Sequence, residues 1–575
     1  MSQILTDLPA TLWQWLSVFD KTKPLIFTQW EFWLFFLAVM LGFSALHRRI
    51  AMRNAFLFAL SLFFYFKTSG LFWLLLVFST LTDYGIAFKI EGAKTPWKRK
   101  GWLALSIFLN LGALCYFKYA YFFTDAANKI FNPETPFVVV NWLGVWANQF
   151  SPSTLNPGFS IDSIALPVGV SFFTFQTMSY AIDVYRGNLK PVKNILDFGF
   201  YVSYFPQLVA GPIVRASEFI PQLYLPFKLS KEDWGRATFL IFNGLAKKLI
   251  LADYLAVQFV DKVFATPDQF MGFDMVMGLL VYSLQVYADF SGYTDIAIGV
   301  ALLMGFTLHI NFDSPYKARN VAEFWRRWHI SLSSWLKDYL YIPLGGNRKA
   351  TVGTWVWTSI LVGVAAGISG LWWLLGLLPV LVGTAYALGR WKPSIWAGLI
   401  TNINMLLTML IGGLWHGASW NFLVWGGLNG LGLLVYKGWK RISPYEKSSH
   451  PLVIAWKVFL TFIFISFTRL FFRSGDIKNP NDKWELVETL WNRMWMGPGW
   501  EWTHIQAVGS TFGWIWAIFA LGMLVHWLPT LWKEAYKNAW NRMPLTAQIP
   551  AMFLAVFVFY QFMNAEVQSF IYFQF

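Results

Sequence analysis

The sequence predicts an all-α, polytopic integral membrane protein, and three observations carry that prediction. Charged side chains make up 13% of the 575 residues and hydrophobic ones 56%, and the charged share is about half that usual in a soluble domain. Mean hydropathy is +0.46 and apolar stretches recur, which excludes a soluble globular domain and a disordered chain. In hydrocarbon each backbone amide must be satisfied within its own segment, so those stretches read as helices. The 34 tryptophans suit the interfacial belts of a bilayer. A net charge of +15 reads, in a chain this apolar, as cytoplasmic loop charge and not as a nucleic-acid surface, and no nucleic-acid-binding motif accompanies it.

Taken in order, residues 1–26 lack the basic n-region and cleavage site of a removable signal and read as an interfacial amphipathic segment. Apolar runs follow at 27–46, where only Glu31 is charged, then at 54–66 and 70–88 on either side of a KTSG break, and at 102–117. Further runs lie at 163–182 and 198–214, near Thr238, at 275–312, 350–389, 394–436, 458–468, 503–532 and 544–565. At ~20 residues per span these predict roughly eleven to thirteen helices, some short, tilted or re-entrant. The basic stretches at 47–53, 89–100 and 183–193 should all face the cytoplasm, which leaves the weakly charged segment at 125–160 outside. No repeat or linker appears, and polar stretches such as 474–500 are too short for separate domains, so residues 1–575 read as one membrane domain. The single Cys115 permits no intramolecular disulfide and gives no functional lead.

With seven histidines in the chain, their placement is informative. His416 lies in MLIGGLWHGASWNFLVWGG, inside a charge-free run and between small residues that permit close approach. Desolvation disfavours the charged imidazole there, leaving the neutral form that a general base for a hydroxyl acceptor requires. The alternative is a helix-packing histidine hydrogen-bonded across the bundle. His329 lies in EFWRRWHISLSSWLKDYLYIPLGGNR, which predicts one amphipathic helix over 320–339 with Glu323 and Arg327 paired at i and i+4. Trp325, His329, Leu332, Ser333 and Leu336 would share a face, and Arg326, Arg327 and Lys337 could meet phosphates or headgroups. An interfacial anchor helix explains the same pattern.

Asp289 and Asp295 stand in the otherwise apolar VYSLQVYADFSGYTDIAIGVALLMGF, where unpaired carboxylates are expensive. They could ligate ions in a transporter or flippase, or cap a helix break at Ser291 and Gly292 and hydrogen-bond nearby groups. No HExxH, GxxxxGK[ST], GxSxG or GxGxxG motif is present, so zincin, P-loop, serine-hydrolase and Rossmann readings lack their residues, and no metal ligand set is apparent.

The motifs LGALCYFKYAYFF at 111–123, LPVGVSFFTFQTMSYAIDVYRG at 166–187, YFPQLVAGPIVR at 204–215 and QVYADFSGYTDIAIG at 285–299 fall in the same order as the two histidine motifs and a terminal FIYFQF. In these stretches the sequence resembles the membrane-bound O-acyltransferase family, specifically its bacterial alginate-acetylation branch, with a more distant likeness to the D-alanyl transfer protein of teichoic acid synthesis. The resemblance implies a ring of helices around a thin central partition, with the family's catalytic histidine at His416 and its second motif histidine at His329. It implies a cytoplasmic thioester donor, acetyl coenzyme A or an acyl carrier thioester, with no bound cofactor. The acyl group would leave on the extracytoplasmic side of a bacterial inner membrane, through an acetyltransferase partner acting on polysaccharide. Trp415, Asn421, Trp328, Arg326, Ser333 and Asp338 are the candidate supporting or tunnel-lining residues. The interval between positions 329 and 416 is wide for this branch, and the charge-free run at 350–389 accounts for it as an inserted hairpin turning near 367–370. Two alternatives stand beside acetyl transfer: D-alanyl or longer-chain transfer from a carrier protein, and a transporter built on Asp289 and Asp295.

Overall fold

A computed structural model describes residues 15–20, 23–145, 164–209, 211–475, 482–563 and 570. Most of the expected N-terminal interfacial segment, part of the 125–160 stretch and all of FIYFQF except Phe570 lie outside the described residues. The described residues are mostly helical and contain no strand. The helices used below are α1 (Trp30–Leu46), α2 (Ile50–Ser69), α3 (Trp73–Gly92), α4 (Pro96–Leu114), α5 (Val170–Arg186), α6 (Ile195–Ser203), α7 (Lys231–Ala246) and α8 (Gly272–Leu303). They continue as α9 (Val321–Arg327), α10 (Ile330–Leu336), α11 (Val352–Ser369), α12 (Trp373–Trp391), α13 (Pro393–His416), α14 (Trp420–Ile442) and α15 (Pro451–Ser474). The last are α16 (Trp502–Thr511), α17 (Gly513–Trp527) and α18 (Leu545–Phe562).

Among the described residues, 7 helical segments are long and apolar enough to cross a membrane, or up to 8 if α16 and α17, bent by 82°, form one broken span. Several of the runs counted from the sequence are helical without meeting that measure. The run at 27–46 becomes the 17-residue α1, and 198–214 is interrupted after Ser203. Pro206 and Pro212 bring no N–H to a helix there. The carbonyl of Tyr201 instead accepts from the side chains of Gln207 (2.7 Å) and Gln176 (3.1 Å). Irregular backbone is tolerated in a membrane protein where protein buries it.

The chain divides into two compact units. The first comprises residues 1–120, 139–241 and 296–308. Its helices α3, α4 and α5 are joined by a buried polar core: the Asp83 carboxylate accepts from Ser106 (2.6 Å) and Asn110 (2.7 Å), whose own carbonyl oxygen accepts from Ser79 and Thr177. Hydrogen bonds join the surroundings of the three basic stretches in this unit. Asn54 donates to Asp197, the Tyr84 hydroxyl to the Lys193 carbonyl, and Arg99 to the Val184 carbonyl.

The second unit comprises residues 121–138, 242–295 and 309–575. Its framework is the antiparallel pair α13 and α14, which approach at backbone distance because Gly413 and Gly426 face one another. A Cβ on Gly413 would stand 2.9 Å from the Gly426 Cα, and one on Gly426 would strike the Met409 carbonyl. Small residues at such a crossing are the usual device for close helix packing in lipid. The run at 350–389 forms the two helices α11 and α12, and the chain turns at Gly370 in the left-handed conformation, φ 69°.

The 32-residue α8 runs unbroken through Ser291 and Gly292, because Gly292 serves packing: its Cβ would stand 2.7 Å from the Gly244 carbonyl. Asp289 and Asp295 therefore cap no break. The wide π-helical turns at Lys247–Tyr254 present two lysines instead, Lys248 at 2.6 Å from Asp289 and Lys247 at 2.7 Å from Asp295. Asn243 also donates to Asp295 at 2.7 Å.

Candidate active site

The helix expected over 320–339 is not continuous. It begins as predicted, with the Asn320 side chain accepting from the Glu323 amide at 2.8 Å, but it breaks between α9 and α10 at Trp328 and His329. The competing partner is Asn311. Its backbone carbonyl takes the Ile330 amide (3.0 Å), and its side-chain oxygen takes the Ser331 amide (3.1 Å) and hydroxyl (2.8 Å). The same oxygen lies 3.3 Å from His329 Nδ1. These bonds hold His329 in the left-handed region at φ 44°, a conformation that costs a non-glycine residue about 1–2 kcal/mol. Replacing Asn311 with alanine strips several buried groups of their acceptor at a cost of about 1–3 kcal/mol. The expected result is a lowered unfolding midpoint for the detergent-solubilised protein, and a wild-type midpoint would refute this account of the break.

The break also redistributes the face proposed for this segment. Arg327 is drawn into an ion network with Glu323 (3.0 Å) and Asp313 (2.8 Å), with Arg319 on the far side of Glu323, and so is engaged by carboxylates in place of phosphates or headgroups. Arg326 is exposed on α9, Ser333 donates to the Trp328 carbonyl at 3.3 Å, and Asp338 lies half-buried in the π-helical turn Lys337–Tyr341.

His329 is wholly buried. Its ring meets Phe290 of α8 edge-on at 4.6 Å and Trp415 at 6.0 Å between centroids. Burial of this kind disfavours a charged imidazole, and a neutral one can accept one hydrogen bond and donate another. His416 ends α13 and is also buried, 2% exposed. Its ring is boxed edge-on by Trp415 (5.0 Å), Trp425 (5.0 Å) and Phe472 (5.5 Å). Trp415 is thus in ring contact with both histidines. The chain leaves α13 through Gly417, and Ser419 caps α14 by accepting from the Asn421 amide at 3.3 Å. The Asn421 side chain ties this turn to α15, donating to Ser474 (2.9 Å) and to the Lys483 carbonyl (3.1 Å).

Of the residues singled out from the sequence, His416, His329 and Trp415 share one aromatic enclosure. Trp328 adjoins it through Phe312, 5.1 Å away between centroids and itself 5.0 Å from Phe290. Sequence reasoning missed Asn311, which sits in an unpatterned loop. It also missed Arg469, which is buried at 1% exposure on α15 with its guanidinium carbon 4.6 Å from the Trp328 centroid. A lone charge in an apolar run was the available signal for Arg469.

His329 and His416 are thus both buried and both in ring contact with Trp415, within a helical unit. The family model for the membrane-bound O-acyltransferase family matches residues 58–382, and the chain belongs to that family; it is an O-acyltransferase. Among similar proteins, the probable alginate O-acetylase of Pseudomonas putida is 35% identical over 445 residues, covering 76% of this chain and 77% of its own. The peptidoglycan O-acetyltransferase of Helicobacter pylori is 33% identical over 449 residues, covering 73% and 70%. The teichoic acid D-alanyltransferase of Bacillus subtilis is 23% identical over 331 residues, covering 56% and 72%.

Proposed function

We propose that this multi-pass membrane protein transfers an acetyl group from a cytoplasmic thioester, acetyl coenzyme A, across a bacterial inner membrane for O-acetylation of an extracytoplasmic polysaccharide. The observation that carries the reading is the shared enclosure of His329 and His416 on Trp415. Acetylation of a glycan is the reading the relatives favour, since those at 33–35% identity are named for alginate and peptidoglycan acetylation while the D-alanyl relative stands at 23%. An extracytoplasmic acetyltransferase partner then receives the group and completes its transfer to the polymer.

In this mechanism a ring nitrogen of His416 takes the proton of the acceptor hydroxyl as its oxygen attacks the thioester carbonyl carbon. The carbonyl electron pair moves onto oxygen, giving a tetrahedral oxyanion. Its collapse re-forms the carbonyl and breaks the carbon–sulfur bond, and the departing thiolate takes the proton back from the imidazolium. Neutral His329 orients the donor or polarises its carbonyl.

The test is transfer of labelled acetyl groups in vesicles containing the protein, with acetyl coenzyme A supplied on the cytoplasmic face. Expected is label release from the thioester and its appearance on an acceptor hydroxyl. Consumption of a D-alanyl or longer acyl carrier thioester, with acetyl coenzyme A untouched, would overturn the choice of donor.

A further inference from the structure

Arg469 raises a question that two histidines alone do not answer. It lies on α15, a 24-residue helix apolar enough to cross a membrane, and no carboxylate pairs with it among the described residues. Its guanidinium is sandwiched instead between the Trp328 ring at 4.6 Å and the Phe472 ring at 5.2 Å. The nearby Tyr316 ring, 6.3 Å from Trp328 between centroids, has its hydroxyl engaged with the Ser283 carbonyl at 2.6 Å. Trp328 is the residue before His329, and Phe472 is in ring contact with His416. A fixed positive charge therefore stacks on one ring that walls His416 and on the tryptophan next to His329 in the chain.

The hydrogen-bond inventory points the same way. Arg469 Nε is buried with no acceptor among the described residues, and so are Asn311 Nδ2 beside His329 and Trp425 Nε1 beside His416. Buried donors are rarely left unpaired, and the exceptions call for a functional reason. All three are N–H groups, and the one full charge among them is positive. The chemistry that completes the set is an oxygen that carries, or is about to acquire, negative charge.

Resting on the acyl-transfer reading above, we propose that Arg469 binds the carbonyl oxygen of the acyl group and stabilises the oxyanion formed when the acceptor attacks, with Asn311 and Trp425 as supporting donors. A cation held in a dry aromatic sandwich needs no reorganisation as charge develops, and low polarity strengthens its effect.

The test compares wild type, Arg469→Met, Arg469→Lys and His416→Ala in the labelled-acetyl vesicle assay, with kcat and KM for the thioester determined at matched membrane levels. Arg469→Met keeps length and apolar packing. It is expected to lower kcat about 10²- to 10³-fold, the range for an oxyanion donor, with KM changed less than about threefold, because the lost interaction belongs to the transition state. A wild-type kcat in Arg469→Met, or a loss confined to KM, overturns the proposal. Should Arg469→Met fail to assemble, Arg469→Lys decides: it retains charge but not the planar fork, so a fall in kcat at constant KM supports the proposal and a wild-type kcat overturns it. Inactivity of wild type with every thioester would instead bring down the acyl-transfer reading itself, a failure distinguishable from that of Arg469 alone.

Discussion

Replacing His416 with alanine is expected to reduce acyl transfer by about 10²- to 10⁴-fold, the range for loss of a general base, while leaving the protein in the membrane at its normal level. Geometry supports both halves of that expectation. The ring sits at the last residue of α13 and makes edge-on contacts with Trp415, Trp425 and Phe472, but the α13–α14 crossing is held elsewhere, by Gly413 against Gly426. Truncation removes the proton acceptor and some aromatic contact without touching that crossing. Labelled-acetyl transfer in vesicles, normalised to protein detected in the same membranes, measures the outcome. Equal rates for wild type and His416→Ala would sink the general-base assignment, and a loss of rate that tracked lost protein would return His416 to the helix-packing role weighed from the sequence.

How far the sequence discloses this site depends on how local each signal is. The class of fold is written in composition and in charge-free runs, which act over ~20 residues at a time. His416 and His329 stand out because histidine is scarce and their neighbours are small or aromatic. The break at Trp328 and His329 is not legible, because the local pattern around it is that of a good amphipathic helix. What ends it is Asn311, 18 positions from His329 in the chain, and tertiary partners of that kind override propensity. Arg469 is hidden for a different reason: a search for uncharged runs stops at a charge, so the residue with most to say about the site marks the edge of the segment that contains it. His526, inside the apolar stretch at 503–532, is hidden because its partner is distant in the chain. Its Nε2 lies 3.1 Å from the Tyr316 amide, a contact that no local spacing announces. Asp289 and Asp295 are the reverse case. They are conspicuous in the sequence, but their lysine partners Lys248 and Lys247 lie 41 and 48 positions upstream, and only the fold shows that these carboxylates are engaged in ion pairs.

Those ion pairs carry the largest expected effect on stability. Lys248 bridges Asp289 at 2.6 Å and Asp253 at 2.7 Å, and all three are buried. Lys248→Met fills similar space but leaves two carboxylates facing one another without a cation, and breaking a buried pair in this way costs on the order of 3–5 kcal/mol. That is a large part of the net stability of a typical domain. The expected result is a marked fall in the unfolding midpoint of the detergent-solubilised protein and in its membrane level. The combined variant Lys248→Met, Asp253→Asn, Asp289→Asn removes the stranded charges and is expected to recover most of the loss, because neutral replacements of a buried ion cluster are often nearly neutral in stability. Acyl transfer by the recovered variant then separates two meanings of Asp289. Retained transfer identifies the triad as a device that holds α8 against the π-helical turns at Lys247–Tyr254. Abolished transfer in a stable, correctly inserted protein would give that carboxylate a part in moving substrate, as the transporter reading required.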